Sequence, residues 1–288
     1  MSTFILLTVT GLGLAALYFL VASGLSLIYG LMDVLNFAHG AFLTLGAYTA
    51  WVVVDATGSL LLGVAVAIAV GAVLAVLMET ALLRRMYGSH VPQVLLTVGL
   101  LLAITALIRS IFGTDALQLA TPEWMNEVTE ILGAPIPNNR FVLIVTAVLV
   151  YLAMSAFLAK TRYGLIIRAG VENRAMVTAL GIDVRRAFTL VFAIGGALAA
   201  LAGALAGVIN NAVSPEQGMS LLIFAFIVVI IGGLGSFRGS ALAAVLVGLL
   251  QQYANFYGAV GAGDLIVVLM LAAILLVRPQ GLLGRAAS

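Results

Sequence analysis

The chain alternates between long apolar runs and short polar interruptions, and inside the runs there is no in-and-out alternation of hydrophobic and polar positions. Such runs occupy residues 4–29, 40–54, 59–83, 91–112, 141–159, 187–209, 221–233, 240–253 and 265–277, each bounded by charge, proline or glycine. A helix needs about 20 apolar residues to cross a hydrocarbon core about 30 Å thick, a length that 221–233 and 240–253 do not reach. Lipid offers the backbone no hydrogen bonds, so each run must be helical or, where it breaks, buried in protein. The pattern predicts an all-α polytopic membrane protein of eight or nine transmembrane helical segments, some broken, in a single domain over residues 1–288. A β-barrel strand would show the missing alternation. Residues 1–30 lack a basic start and are apolar for longer than a signal peptide, so they are expected to form the first span.

Composition sharpens this picture. Charged residues make up 8% of the chain and hydrophobic ones 64%, against roughly 25% charged in a soluble domain. Soluble enzymes and nucleic-acid binders are thereby excluded; the surroundings are membrane lipid, and no nucleic acid partner is expected. The basic residues Arg84, Arg85, Lys160, Arg162, Arg168, Arg174, Arg185, Arg186, Arg238, Arg278 and Arg285 fall on one set of alternate loops, leaving Arg109 and Arg140 near the other. Positive charge marks the cytoplasmic face. The loop 113–139, with Asp115, Glu123, Glu127 and Glu130, is then external, and nine crossings put the N-terminus outside. There is no cysteine, which removes disulfides and thiolate-bound metals.

Two stretches interrupt apolar runs with glycine and polar residues: YGLMDVLNFAHG at 29–40 and GGLGSFRG at 232–239. Laid over one another, they suggest a pair of related broken helices, as in transport folds. Asn36 and His39 in the first, and Gly232, Gly233 and Gly235 in the second, are candidates for a translocation path or for the helix breaks themselves. The cost of leaving polar groups unpaired in hydrocarbon favours the structural role for Asn36 and His39. Asp33 is expected to cap the following helix or to pair with an arginine, His90 to lie in a loop, and Glu79 and Arg109 to snorkel from helix ends. Gly195, Ala199, Gly203 and Gly207 recur every fourth position and suit close helix packing, within the chain or between subunits, with the first the commoner use.

The segment 160–186, KTRYGLIIRAGVENRAMVTALGIDVRR, is basic yet carries more apolar surface than a tether needs. It predicts a short amphipathic helix around 172–180, ended by Gly181 and presented to a partner protein below the membrane, or else a loop lying on the headgroups. The spans hold no ionisable group in their central turns and no Ser/His/Asp, paired-carboxylate or HExxH set. Ion coupling and enzyme chemistry therefore have no residues to use, and the energy for transport must come from elsewhere.

This segment, with GLSLIYGLMDVLNFAHGAFLTLGAY at 24–48, FIVVIIGGLGSFRGSALAAVLVGLL at 226–250 and RPQGLLGR at 278–285, resembles the permeases of branched-chain amino acid ABC importers (LivH/LivM-like). The resemblance implies an ABC importer permease fold in a bacterial inner (plasma) membrane. It also implies a pore made with a second permease copy or paralogue, two cytoplasmic ATPase subunits, and an external substrate-binding protein. ATP and Mg would sit on the ATPases, since the only lysine, Lys160, lacks the glycines of a phosphate-binding loop. In the segment that would dock the ATPase, Glu172, Asn173 and Arg174 are the first candidates for contact, with Arg168 and Arg185 beside them and Gly181 as the turn. Branched-chain or related small amino acids are the implied substrate; urea, short amides or other small carboxylates are the alternative, moved by a permease or a passive channel.

Overall fold

The structure, a computed structural model, describes residues 1–33, 35–87, 89–259 and 261–284, and the side chains of 171 and 173–175 lie outside that description. Arg285 and the side chains of Asn173 and Arg174 are therefore not described. The helices are α1 (Ser2–Met32), α2 (His39–Thr57), α3 (Leu60–Ala81), α4 (His90–Phe112), α5 (Glu123–Asn126), α6 (Asn138–Lys160), α7 (Arg162–Ala179), α8 (Val184–Asn210), α9 (Gln217–Gly232), α10 (Phe237–Tyr257) and α11 (Ala262–Val277). Each of the nine apolar runs is a helix. By length and composition, six helices can cross a membrane, or up to seven if α9 and α10, bent by 116° at their break, form one span; α11 is a shorter apolar helix. The protein is thus an all-helical, multi-pass membrane protein. Two small antiparallel ribbons, β1 (Leu117–Gln118) with β4 (Ala212–Val213) and β2 (Val128–Ile131) with β3 (Ala134–Pro137), decorate one end.

Helices α8 and α1 form the centre: α1 packs on α10, α8 and α6, and α8 on α3 and α2. Glycine permits this closeness. A Cβ on Gly71 of α3 would meet the Gly196 carbonyl oxygen at 2.6 Å, and one on Gly24 of α1 the Gly195 oxygen at 2.7 Å. The four-residue ladder on α8 is spent within the chain: Gly195 faces Ile28 and Gly24 of α1, Gly203 faces the backbone of Leu43 on α2, Gly207 faces Val213 of β4 and Leu119 beside β1, and Ala199 is fully buried. A step of four residues turns the helix by about 400°, so the ladder drifts about 40° per step and meets a succession of partners rather than one.

The ends sort by charge. The ends of α1, α3 and α9, the start of α8 and the segment 278–284 gather at the basic end, through contacts of Gly30 with Gly235, Gly170 with Leu31, and Gly233 with Gly281 and Gly284. The opposite end holds the two ribbons, the Arg109–Glu216 ion pair, and Arg140 lying over Gly13.

Four local expectations are corrected. Asp33 does not cap α2; it ends α1 in the left-handed region (φ 53°), its N–H donating to the Tyr29 carbonyl, and Ala38 precedes α2 instead. His90 is not a loop residue but opens α4, where Pro92 is tolerated because first-turn N–H groups have no helical partner. Arg109 does not simply snorkel; it reaches Glu216 across to the start of α9. Glu79 does not snorkel either: it is fully buried.

Candidate functional site

The basic end is built around α7, which follows α6 with a single residue between. Thr161 makes that corner: its hydroxyl accepts the Gly164 N–H at 2.9 Å, supplying the N-cap. Gly164 lies so close to Leu158 that a Cβ would sit 2.6 Å from the Leu158 Cα. The helix therefore begins at Arg162, ten residues before the expected start, because the cap and the glycine fix it locally. At its far end Gly181 (φ 77°) donates to the Thr178 carbonyl at 3.0 Å and Ile182 to the Val177 carbonyl at 3.4 Å, the paired bonds of a Schellman stop. Asp183 then caps α8 by accepting the Arg185 N–H at 3.0 Å, and pairs with Arg186 at 3.3 Å.

One face of α7, with Ile167, Gly170 and Val177, is buried against the bundle, Gly170 meeting Leu31 at the end of α1. The other face leaves Leu165 61%, Met176 64% and Leu180 72% exposed, interleaved with exposed Arg168 and Glu172. A helix resting on headgroups would turn its apolar side into lipid. Here that side is already taken by the protein's own helices. What faces outward is a mixed stripe of apolar groups and charges of both signs. Arg185 is exposed where α8 begins, and Gly181 is exposed at the turn.

Close by is a cluster that the sequence pattern did not reveal. Glu79 Oε1 accepts from Arg84 Nε at 3.2 Å and from the Tyr87 hydroxyl, while Oε2 accepts from Arg84 Nη2 at 3.0 Å and from the Thr189 hydroxyl at 2.9 Å. Arg84 Nη2 also donates to the Thr189 hydroxyl at 2.8 Å. The Arg84 guanidinium is held above its ordinary pKa, first by its hydrogen bond to Glu79. Tyr87 stacks edge-on against Phe188 with ring centres 5.2 Å apart. The available signal was ETALLRRMY, in which an arginine falls past the end of the helix and folds back toward its glutamate.

The helix breaks lie on either side of α1. His39 is fully buried, and its Nε2 donates to the carbonyl of Val21, midway along α1, at 2.9 Å, so α2 starts well inside the bundle rather than at its end. Asn36 is buried too; neither its amide atoms nor His39 Nδ1 has a hydrogen-bond partner among the described residues. The two helix starts meet, since the Gly218 N–H at the start of α9 donates to Thr44 of α2 at 3.2 Å. At the second break Gly232 presses on Gly239, a Cβ there lying 2.5 Å from the Gly239 carbonyl carbon. Gly233 and Gly235 have φ 100° and 77°, and a Cβ on Gly235 would come within 2.7 Å of Gly30 Cα. The segment after α11 finishes this corner: Leu282 and Leu283 N–H donate to the carbonyls of Ile231 and Gly232 at 2.8 and 3.0 Å, satisfying groups that the end of α9 leaves open. The structure therefore brings Gly235 to Gly30 and α7 to the end of α1.

The multi-pass helical bundle, with helices that start and break inside it, is the architecture of a membrane transport permease, and the comparisons with known proteins agree. The chain belongs to the branched-chain amino acid transport permease family: residues 7–277 match the family described as "Branched-chain amino acid transport system / permease component". It is 29% identical to the high-affinity branched-chain amino acid transport system permease protein LivH of Escherichia coli, over 96% of this chain and 94% of the relative. It is 28% identical to BraD of Pseudomonas aeruginosa over the same shares, and 26% identical to LivM of E. coli over 94% of this chain and 68% of that one. No solved structure matches. As a permease component of an ABC system, the protein is a transport subunit and not an enzyme.

Proposed function

We propose that the chain is a permease subunit of a binding-protein-dependent importer of branched-chain or related small amino acids in a bacterial inner membrane. It pairs with a second permease, copy or paralogue, to form the pore. An external binding protein delivers substrate, and two cytoplasmic ATPases, which carry ATP and Mg, supply the energy. The observation that carries this reading is the outward stripe of α7, which a passive channel does not need and which stands where the arginine-rich loops put the cytoplasm. Glu172, Asn173, Arg174, Arg168 and Arg185 contact the ATPase, and Gly181 ends the coupling helix. The names of the relatives support branched-chain amino acids over urea, short amides or other carboxylates.

The test is uptake of radiolabelled leucine into proteoliposomes. The expected result is ATP-dependent uptake with the full set of partners and none when the ATPases are left out. Uptake by the permease alone would make it a channel, and saturable uptake of urea but not leucine would move the substrate to the alternative.

A further inference from the structure

A carboxylate buried at the end of a membrane helix needs a reason, because desolvating it is costly and an apolar residue of similar size would pack there without that cost. Glu79 meets the cost by filling both oxygens with donors from three places: Arg84 and Tyr87 after α3, and Thr189 in the second turn of α8. The third partner is the informative one. Thr189 lies just beyond the Schellman stop and the Asp183 cap that join α7 to α8, so it rides on the segment that any movement of α7 would drag first.

The Thr189 hydroxyl has one hydrogen and two acceptors within reach. It can donate to Glu79 at 2.9 Å, or to the Arg185 carbonyl of its own helix at 3.1 Å. It can therefore leave Glu79 without its hydrogen going unpaired. Arg84 and Tyr87 also donate to the carboxylate, so Glu79 has donors besides Thr189. Below this contact α3 and α8 touch through Gly71, Gly196 and Ala75 with almost no side chain between them, so a shift at Thr189 is carried directly into the packed core.

We propose that Glu79 and Thr189 form a releasable clasp between α3 and the base of α8, which makes the core helices follow α7 when the ATPases move it. Glu79 is thus a positioning residue for transport. The proposal rests on the coupling role given to α7 above.

The experiment uses the complete reconstituted importer, with leucine and its binding protein, and reads leucine taken up per ATP hydrolysed. Thr189→Val removes the hydroxyl at nearly constant shape, Thr189→Ser keeps it, and Glu79→Gln removes the charge. Thr189→Val and Glu79→Gln are expected to lower leucine per ATP at least tenfold. The amount of assembled complex, the basal ATP hydrolysis and the KM for loaded binding protein should stay within twofold, and Thr189→Ser should behave as the parent. A purely structural cluster would lower the yield or melting temperature while leaving leucine per ATP unchanged, and that result overturns the proposal, as does a serine variant as defective as valine. Leu165→Asp on α7 separates the two readings. If it abolishes uptake while Thr189→Val and Glu79→Gln are normal, the clasp is wrong and the coupling helix stands; if it too is normal, the coupling helix is wrong and the clasp falls with it.

Discussion

Gly203→Leu is expected to leave almost no folded permease. A Cβ at this position would lie 2.7 Å from the Leu43 carbonyl carbon and 2.9 Å from its Cα, and would overlap the carbonyl oxygen. These are backbone atoms, so no rotamer change relieves the clash, and α2 must move away from α8 as a body. Moving it also opens the contact of Gly46 with Ala200, where a Cβ would stand 2.7 Å from the Ala200 carbonyl carbon. Ordinary overpacking costs about 1–3 kcal/mol. A backbone-to-backbone clash at the centre of the bundle is expected to exceed about 3 kcal/mol, a large part of the roughly 5–15 kcal/mol that holds a typical domain folded. Gly99 on α4 is the control, since a Cβ there meets nothing within 4 Å. Gly99→Leu should match or exceed the parent, because glycine inside a helix costs up to about 1 kcal/mol relative to better helix formers. Thermal unfolding in detergent and the monodisperse fraction after extraction read both variants, and a normal melting temperature for Gly203→Leu would refute the packing account.

The second large effect is on function without an effect on folding. Leu165→Asp and Leu180→Asp place a charge at positions 61% and 72% exposed, where surface substitutions shift stability by no more than about 0.5 kcal/mol. If α7 is covered by an ATPase in the assembly, the same charges are desolvated in an interface core. Central interface positions of this kind cost about 2–4 kcal/mol when disrupted, which is about 30- to 1,000-fold in affinity. Co-purification of the ATPases and ATP-dependent uptake should fall together by at least 30-fold, while the melting temperature of the isolated permease stays put. Loss of stability without loss of ATPase binding would mean that these leucines belong to the fold.

Much of the architecture is legible in the sequence, because lipid leaves so few solutions. Every apolar run became a helix, and the helix ends fall inside the polar interruptions at 29–40 and 232–239, with α1 ending at Met32, α2 starting at His39, α9 ending at Gly232 and α10 starting at Phe237. The small-residue ladder of α8 was readable as packing, but its partners were not, since the drift of a four-residue step directs Gly195, Gly203 and Gly207 to different neighbours. Local helix ends are less legible than the spans. Asp33 looked like the start of α2, yet the chain needed a left-handed residue to leave α1. The segment 160–186 reads as helical only from 172, because its glycines at 164 and 170 dilute the apolar pattern; both let α7 approach the ends of α6 and α1. Glu79 was hidden for a different reason. Its partner Thr189 is 110 residues away in the chain, and only the α3–α8 packing brings them together.

The absence of cysteine from the chain permits the most direct test of whether α7 is the ATPase contact. Single cysteines at Leu165 and Leu180 on α7, and at Leu61 near the start of α3, each carry a short photoreactive cross-linker in the assembled importer. Covalent attachment of an ATPase subunit from positions 165 and 180, and none from position 61, is the predicted pattern. Labelling of lipid alone from 165 and 180, in complexes that still hydrolyse ATP and take up leucine, would contradict it.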